Sequence, residues 1–197
     1  ELPGAILGNS LIVAPLNFAS RVRRGIDTQI SYRLHVTSDV TLNTNLIYTH
    51  NLEISNFQDQ LNPTFANRIL GEVGDPVDEF RLDVDVSYRE FTFGYRMHYI
   101  GSMYIGAWEN NNSINGFPPA NDDAISPQKY PSITYNDIRF EWNIRNTGGI
   151  ADSLRFYFGV DNVFDRHPPL GTTATGGGTA IYDIRGRSSY AGIRARF

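Results

Sequence analysis

The chain has no cysteine among its 197 residues. Neither a disulfide framework nor a thiolate metal site is therefore open to it. It also lacks an excess of positive charge. Its 17 Lys and Arg against 21 Asp and Glu give a net charge of −4 and a pI near 5.5, which argues against nucleic acid, whose binders carry basic patches. No apolar run approaches the roughly 18 residues that a membrane helix needs. That excludes helical spans but not strands, because apolar and polar residues alternate along a membrane-crossing strand and cancel in a window average. Helical periodicity is scarce. No signal-peptide pattern stands at Glu1, so the chain is expected to be mature, cytosolic or a piece of something longer.

What is present is a wealth of aromatics, with 12 Phe, 11 Tyr and 2 Trp, and a period of two. Ile26, Ile30, Tyr32, Leu34 and Val36 face one way, and Asp27, Gln29, Ser31 and Arg33 the other. The same division runs through residues 40–49, 80–88, 91–99, 137–145 and 154–161. It returns in the last segment, where Ala191, Ile193, Ala195 and Phe197 alternate with Tyr190, Gly192, Arg194 and Arg196. Side chains in a strand point alternately to opposite faces, so each segment reads as a strand with one greasy and one wet face. About seven such strands are expected, the last ending on an aromatic residue.

Turn lengths alternate as well. Tight connections are expected at Thr37–Asp39, Arg89–Glu90 and Asn146–Ser153, and long polar loops at 53–78, 106–131 and 165–186. Short and long turns on opposite sides are the pattern of membrane-crossing strands, whose inner turns are tight and outer loops long. Strand length agrees, since an apolar band about 25 Å tall crossed obliquely takes roughly 10 residues. The Arg89–Glu90 turn fixes a register: Tyr88 opposite Phe91, Val86 opposite Phe93, Val84 opposite Tyr95 and Phe80 opposite Tyr99. On the wet face Asp83 then meets Arg96, with Asp85 diagonal to it. Aromatics sort by depth, Tyr88, Phe91 and Trp142 toward the end that holds Phe197, and Tyr48, Phe80, Tyr99 and Tyr104 toward the other.

Three segments carry a family resemblance. FGVDNVFDRHPP at Phe158–Pro169 is similar to the "gv.NlfD..pp" segment near the end of TonB-dependent outer-membrane receptors. YDIRGRSSYAGIRARF from Tyr182 resembles that family's final strand, and RVRRGIDTQISY at Arg21–Tyr32 resembles the strand opened by its "RG.D" step. The order along the chain is the family's. The resemblance implies an all-β fold, an antiparallel transmembrane β-barrel of about 22 strands with a plugged lumen. Residues 1–197 would supply its last seven strands or so, without the plug domain. It implies an outer-membrane location in a Gram-negative bacterium. The partners would be outer-membrane lipid, the plug and other barrel strands, and the TonB complex acting through the missing plug. The activity implied is import of a scarce nutrient, a ferric siderophore, a cobalamin-like molecule or an oligosaccharide, with no bond made or broken and no cofactor. Arg96, Arg139, Arg145, Arg155 and Arg194 are expected on the lumen side, lining the path or touching the plug. Tyr104, Trp108, Asn110 and Asn112 are the expected ligand-contact positions in an outer loop. Tyr190 and Phe197 match the family's assembly signal.

Other chemistries find little footing. The run from Gly171 to Ala180 lacks the Lys-Ser/Thr step of a phosphate loop. His35, His50, His98 and His167 are scattered, with no helical pair. Asp83 and Asp85 stand among Arg81, Arg89 and Arg96, as a salt-bridged wall would. No serine has a nucleophile-elbow context. Two alternative architectures are a complete eight-stranded barrel (an adhesin, pore or membrane enzyme), with Leu11–Leu16 as the eighth strand, and a soluble all-β binding module such as a jelly roll.

Overall fold

In a computed structural model, residues 19–108, 129–145, 151–171 and 181–197 are described. They form ten strands: β1 (Ser20–His35), β2 (Val40–Phe57), β3 (Asn67–Arg68), β4 (Asp78–Tyr88), β5 (Phe91–Ile100), β6 (Met103–Tyr104), β7 (Lys129–Tyr130), β8 (Ile133–Arg145), β9 (Ser153–Asp161) and β10 (Ser188–Arg196). Seven long strands make one antiparallel sheet in the order β1-β2-β4-β5-β8-β9-β10, with β3 added beside β2 and a separate β6-β7 pair. The sheet is open: β1 and β10 are its edges. Among the described residues no helix is long and apolar enough to cross a membrane.

The register follows the alternation of the side chains. Tyr88, Val86, Val84 and Phe80 pair with Phe91, Phe93, Tyr95 and Tyr99, and Asp83 pairs with Arg96. The apolar face continues across every strand. Leu46 pairs with Leu82 and Tyr48 with Phe80, Phe93 with Phe140, Phe140 with Phe158, and Phe158 and Phe156 with Ala191 and Ile193. Because the period is two, a slip of one residue would turn this whole face over, so register is strongly specified. Nothing among the described residues covers it: Phe93, Phe140, Phe158 and Ile193 are 48, 43, 47 and 66% exposed. A sandwich would have laid a second sheet over them.

Aromatic rings on this face gather at two levels. Phe91 stacks on Phe140 and Trp142, and Trp142 lies 5.7 Å from Phe156. At the other level Phe80 stacks on Tyr99 at 5.0 Å. Eight residues separate the two levels along β5, a rise of about 27 Å along the strand and near 20 Å after a tilt of about 40°.

The turn end is stitched by backbone. The Thr37 hydroxyl accepts from the Asp39 and Val40 N–H groups, closing the β1-β2 turn. Arg89 takes a positive φ of 51° in the two-residue β4-β5 turn. It is held there by its N–H on the Asp39 carbonyl and its guanidinium 3.2 Å from the Asp39 carboxylate. The Glu90 carbonyl accepts from Asn143 N–H, and the Arg196 carbonyl from Asp152 N–H. The β8-β9 connection at 146–150 lies outside the described residues.

The loop end departs from the polar loops read in the sequence. β2 runs on through Glu53 to Phe57 after a register shift at Arg24/Gly25. Gly25 is required there, because a Cβ would stand 2.8 Å from the His50 carbonyl oxygen. Beyond it Ile54, Ile69 and Leu70 form a small buried cluster with Val77 against it. A second cluster, Ile100, Met103, Ile133, Tyr135 and Tyr182, sits at the end of β5 and β8 with Ile181 packed on it. Ile100 and Tyr135 belong to the wet side of the alternation, so both strand ends bury apolar groups on the face opposite the exposed one.

Candidate functional site

The polar face of the sheet holds most of the charge, and its centre is arranged as matched pairs. Arg96 Nε lies 2.6 Å from Asp83 Oδ1, and Arg81 approaches the other oxygen of the same carboxylate at 3.5 Å. Asp85, read as a diagonal neighbour of Arg96, instead takes Arg139 across β5 at 3.0 Å. Arg139 Nε stands 3.3 Å from Glu141, not aligned for a hydrogen bond, and Glu141 is shared with Arg155 at 3.8 Å. Arg155 also donates to Asn143 Oδ1 at 2.7 Å. Alternation in β5, β8, β9 and β10 puts Arg96, Arg139, Arg145, Arg155 and Arg194 on this one face. Asp83 and Asp85 are thus committed to guanidinium groups.

Above this wall, toward the loops, lies a cleft of about 790 Å³ whose lining includes Arg81, Arg96, His98, Asp137, Asp161 and Tyr182. His98 Nε2 is 2.9 Å from Glu79. Asp137 accepts the Asn162 N–H at 2.8 Å. Burial pushes the Tyr182 hydroxyl up to about 12; this hydroxyl has no hydrogen-bond partner among the described residues. Such a cleft can bind and orient a polar solute through several groups at once. Among the described residues no group of three or more His, Cys, Asp or Glu could hold a metal.

The motif residues acquire structural roles. Asn162, 1% exposed and at φ 52°, donates from its amide to the Arg166 carbonyl and accepts the Arg166 N–H, each at 2.8 Å. A buried amide satisfied on both sides fixes one turn geometry. Asp165 accepts the Arg187 N–H at 2.8 Å, tying that turn to the start of β10, and this bond holds its carboxyl below the usual range. Tyr190, matched above to an assembly signal, lies on the polar face across Gly159, while Tyr157 lies across Gly192. The two rings stand 6.4 Å apart. Each glycine leaves the space that its neighbour's ring fills; a Cβ at either would collide with it. Phe197, 88% exposed, follows β10 at the turn end.

The aromatic pair read as ligand-contacting is engaged within the chain. Tyr104 belongs to β6, and its N–H bonds the Gly71 carbonyl at 2.7 Å. The Arg68 guanidinium covers Trp108 at 3.7 Å and Lys129 covers Tyr104 at 4.5 Å, the two rings meeting edge-on at 5.0 Å. The Trp108 N–H donates to Glu72 at 2.8 Å. These contacts clamp the 67–75 and 103–108 segments together. Asn110 and Asn112 lie outside the described residues, as do Leu11–Leu16 and residues 172–180 of the Gly-rich run. Sequence reasoning missed Asn162, Asp165 and the Tyr–Gly interlock as structural determinants; the DNVFD run and the paired spacing Tyr157-x-Gly159 and Tyr190-x-Gly192 were their signals. No family model matches the sequence, and no curated protein matches it.

Proposed function

We propose that this chain is the closing section of a TonB-dependent outer-membrane receptor. The parent protein would bind a scarce nutrient (a siderophore, a cobalamin-like molecule or an oligosaccharide) and import it when TonB pulls on the plug. The observation that carries this reading is the apolar face, continuous over seven strands and left uncovered by the described residues. In water it would be an aggregation hazard; against hydrocarbon it is the ordinary outer wall of a barrel. The open edges at β1 and β10 fit a section of a larger cylinder of about 22 strands, since unpaired strand edges are not tolerated in lipid. The short turns at one end and the loop clusters at the other fit inner and outer rims. The reading is of a transporter, in which the polar wall would serve binding and passage with no bond made or broken.

The test is uptake by cells carrying the parent protein. Radiolabelled ferric siderophores, cobalamin and oligosaccharides are offered with and without TonB. Accumulation of one that stops when TonB is deleted supports the reading. Binding without any TonB-dependent accumulation, or recovery of the parent protein from the soluble fraction, overturns it.

A further inference from the structure

The charge matching of the polar wall fails inside the cleft. Lower on the face Asp83 holds Arg96 and Asp85 holds Arg139. Within the cleft Glu79 holds His98, and Asp183 holds Arg185 at 3.6 Å. Asp137 and Asp161 are left over. The register sets Ile138 against Val160, so the next rung brings these two carboxylates to neighbouring positions on the polar face, and both line the cleft. Among the described residues the Asp137 carboxylate takes only the Asn162 N–H. The Asp161 carboxylate makes no hydrogen bond or ion pair there. It is repelled by Asp137 and Asp183 and drawn by Arg185 and Arg96 from beyond salt-bridge reach. Arg96, opposite Asp137 across the β5-β8 pair, is committed to Asp83. Like charges side by side on neighbouring strands destabilise them. A second observation is independent of this pair. Tyr182 lines the same cleft, is 4% exposed, and its hydroxyl has no hydrogen-bond partner among the described residues. A desolvated hydroxyl without a partner is costly, so it marks a place where a polar group from outside completes the bonding.

We infer that this cleft takes a solute carrying a primary ammonium group, seated on Asp137 and Asp161. The inference rests on the transporter reading and names the charged group of its ligand. An ammonium group has three N–H donors and no acceptor, and the groups left over in the cleft offer oxygens: two carboxylates and a hydroxyl. Hydrogen bonds to an ionised partner are roughly twice as strong as neutral ones, and one cation between two carboxylates turns their repulsion into a shared attraction. An anionic ligand would bring a third like charge to Asp137 and Asp161. A neutral one would leave the pair unmatched. A metal ion fits less well, because no group of three or more His, Cys, Asp or Glu among the described residues could hold one. The volume of about 790 Å³ lies within the usual span of small-molecule sites, about 300–1,000 Å³.

The experiment is titration calorimetry on the parent protein purified in detergent, in mildly acidic buffer. The probes are tetraglucosamine, whose amines are then charged, and its fully N-acetylated form, which keeps the sugar backbone and loses every charge. Tetraglucosamine is expected to bind about tenfold tighter or more. Asp161→Asn should weaken it about tenfold, as loss of one charge-assisted hydrogen bond implies, and Asp161→Glu should retain most of the affinity. Arg185→Gln, at an exposed side chain, removes a competing positive charge and should tighten binding severalfold; it keeps the test decisive if Asp161→Asn fails to assemble. Equal affinity for the two probes, no binding of tetraglucosamine, or affinity indifferent to these substitutions overturns the inference. Uptake by cells reads the premise separately. TonB-dependent accumulation of any solute upholds the transporter reading even when tetraglucosamine does not bind. Binding of tetraglucosamine with no TonB-dependent accumulation of any solute defeats that reading and leaves the chemistry of the cleft standing.

Discussion

The loop end of the sheet, at β2, β5 and β8, and the bodies of its long strands treat apolar side chains in opposite ways. At the loop end Ile54, Ile100 and Met103 are fully buried, and they do so within small clusters closed by neighbouring loops. Along the strand bodies Phe93, Phe140, Phe158 and Ile193 stay about half exposed or more, on the other side of the sheet. The loop end carries its own core; the bodies have a greasy face with none of the described residues packed over it. The sequence puts apolar residues in both regions, so hydrophobicity alone does not tell the two apart. What separates them is continuity, because in the bodies the apolar residues line up across seven strands and at the loop end they converge on two points.

The sharpest way to break this comparison is to charge the exposed face. Phe140→Arg with Phe158→Arg should abolish assembly of the parent protein, because each arginine at the middle of a bilayer costs about 2–4 kcal/mol. Thr92→Arg on the polar face should leave the amount of heat-modifiable barrel close to that of the unaltered protein. Equal yields of the two variants would remove the distinction between the faces. A smaller effect is expected from Ile100→Ala, at about 2 kcal/mol, the low end for truncating a buried aliphatic side chain in a cluster with room to relax. Proteases added outside the cell should then cut the loops faster while the strands remain inserted. If the strands are lost too, the loop cores are not the independent units drawn here.

Smaller again is Tyr190→Ala, which uncovers Gly159 and removes one half of the Tyr–Gly interlock. A loss of about 1 kcal/mol is expected, read as a lower heat-modification temperature, with Tyr190→Phe retaining most of it. The smallest effect is one of pH. The Asp165 carboxyl is held below its ordinary 3.8 by the Arg187 N–H, so its contribution is present above that value and fades as pH falls through the lowered one. Asp165→Asn should flatten the acid limb of protease resistance in the 165–187 segment and lower the resistance slightly at neutral pH, where the carboxylate's contribution is present.

Much of the strand bodies was legible, since a strict period of two fixes which residues share a face and the Arg89–Glu90 turn then fixes the partner of each. The pairs Val86–Phe93 and Asp83–Arg96 follow from those two facts. The loop end was not legible for the same reason. β3, β6 and β7 have two residues each, too few to show a period, and the shift at Gly25 resets the alternation in the middle of a strand pair. Ile54, Ile69, Leu70 and Val77 stood in a stretch read as polar because their spacing follows no repeat. On the polar face the five arginines were found by alternation, and Asp83 as the partner of Arg96, but the partners of Arg139 and Arg155 were not. Arg139 reaches Asp85 across a strand that glycine keeps low at Gly94, a contact set by three-dimensional neighbourhood.

The account turns on what touches the apolar face, and spin labels placed one at a time along β5 read this directly. In native membranes the labels at 91, 93, 95 and 97 should meet dissolved oxygen more than those at 92, 94, 96 and 98, with a period of two, and should be shielded from a water-soluble nickel chelate. If both sets are equally open to the chelate, or both are buried from oxygen, the face does not meet hydrocarbon and the account is wrong.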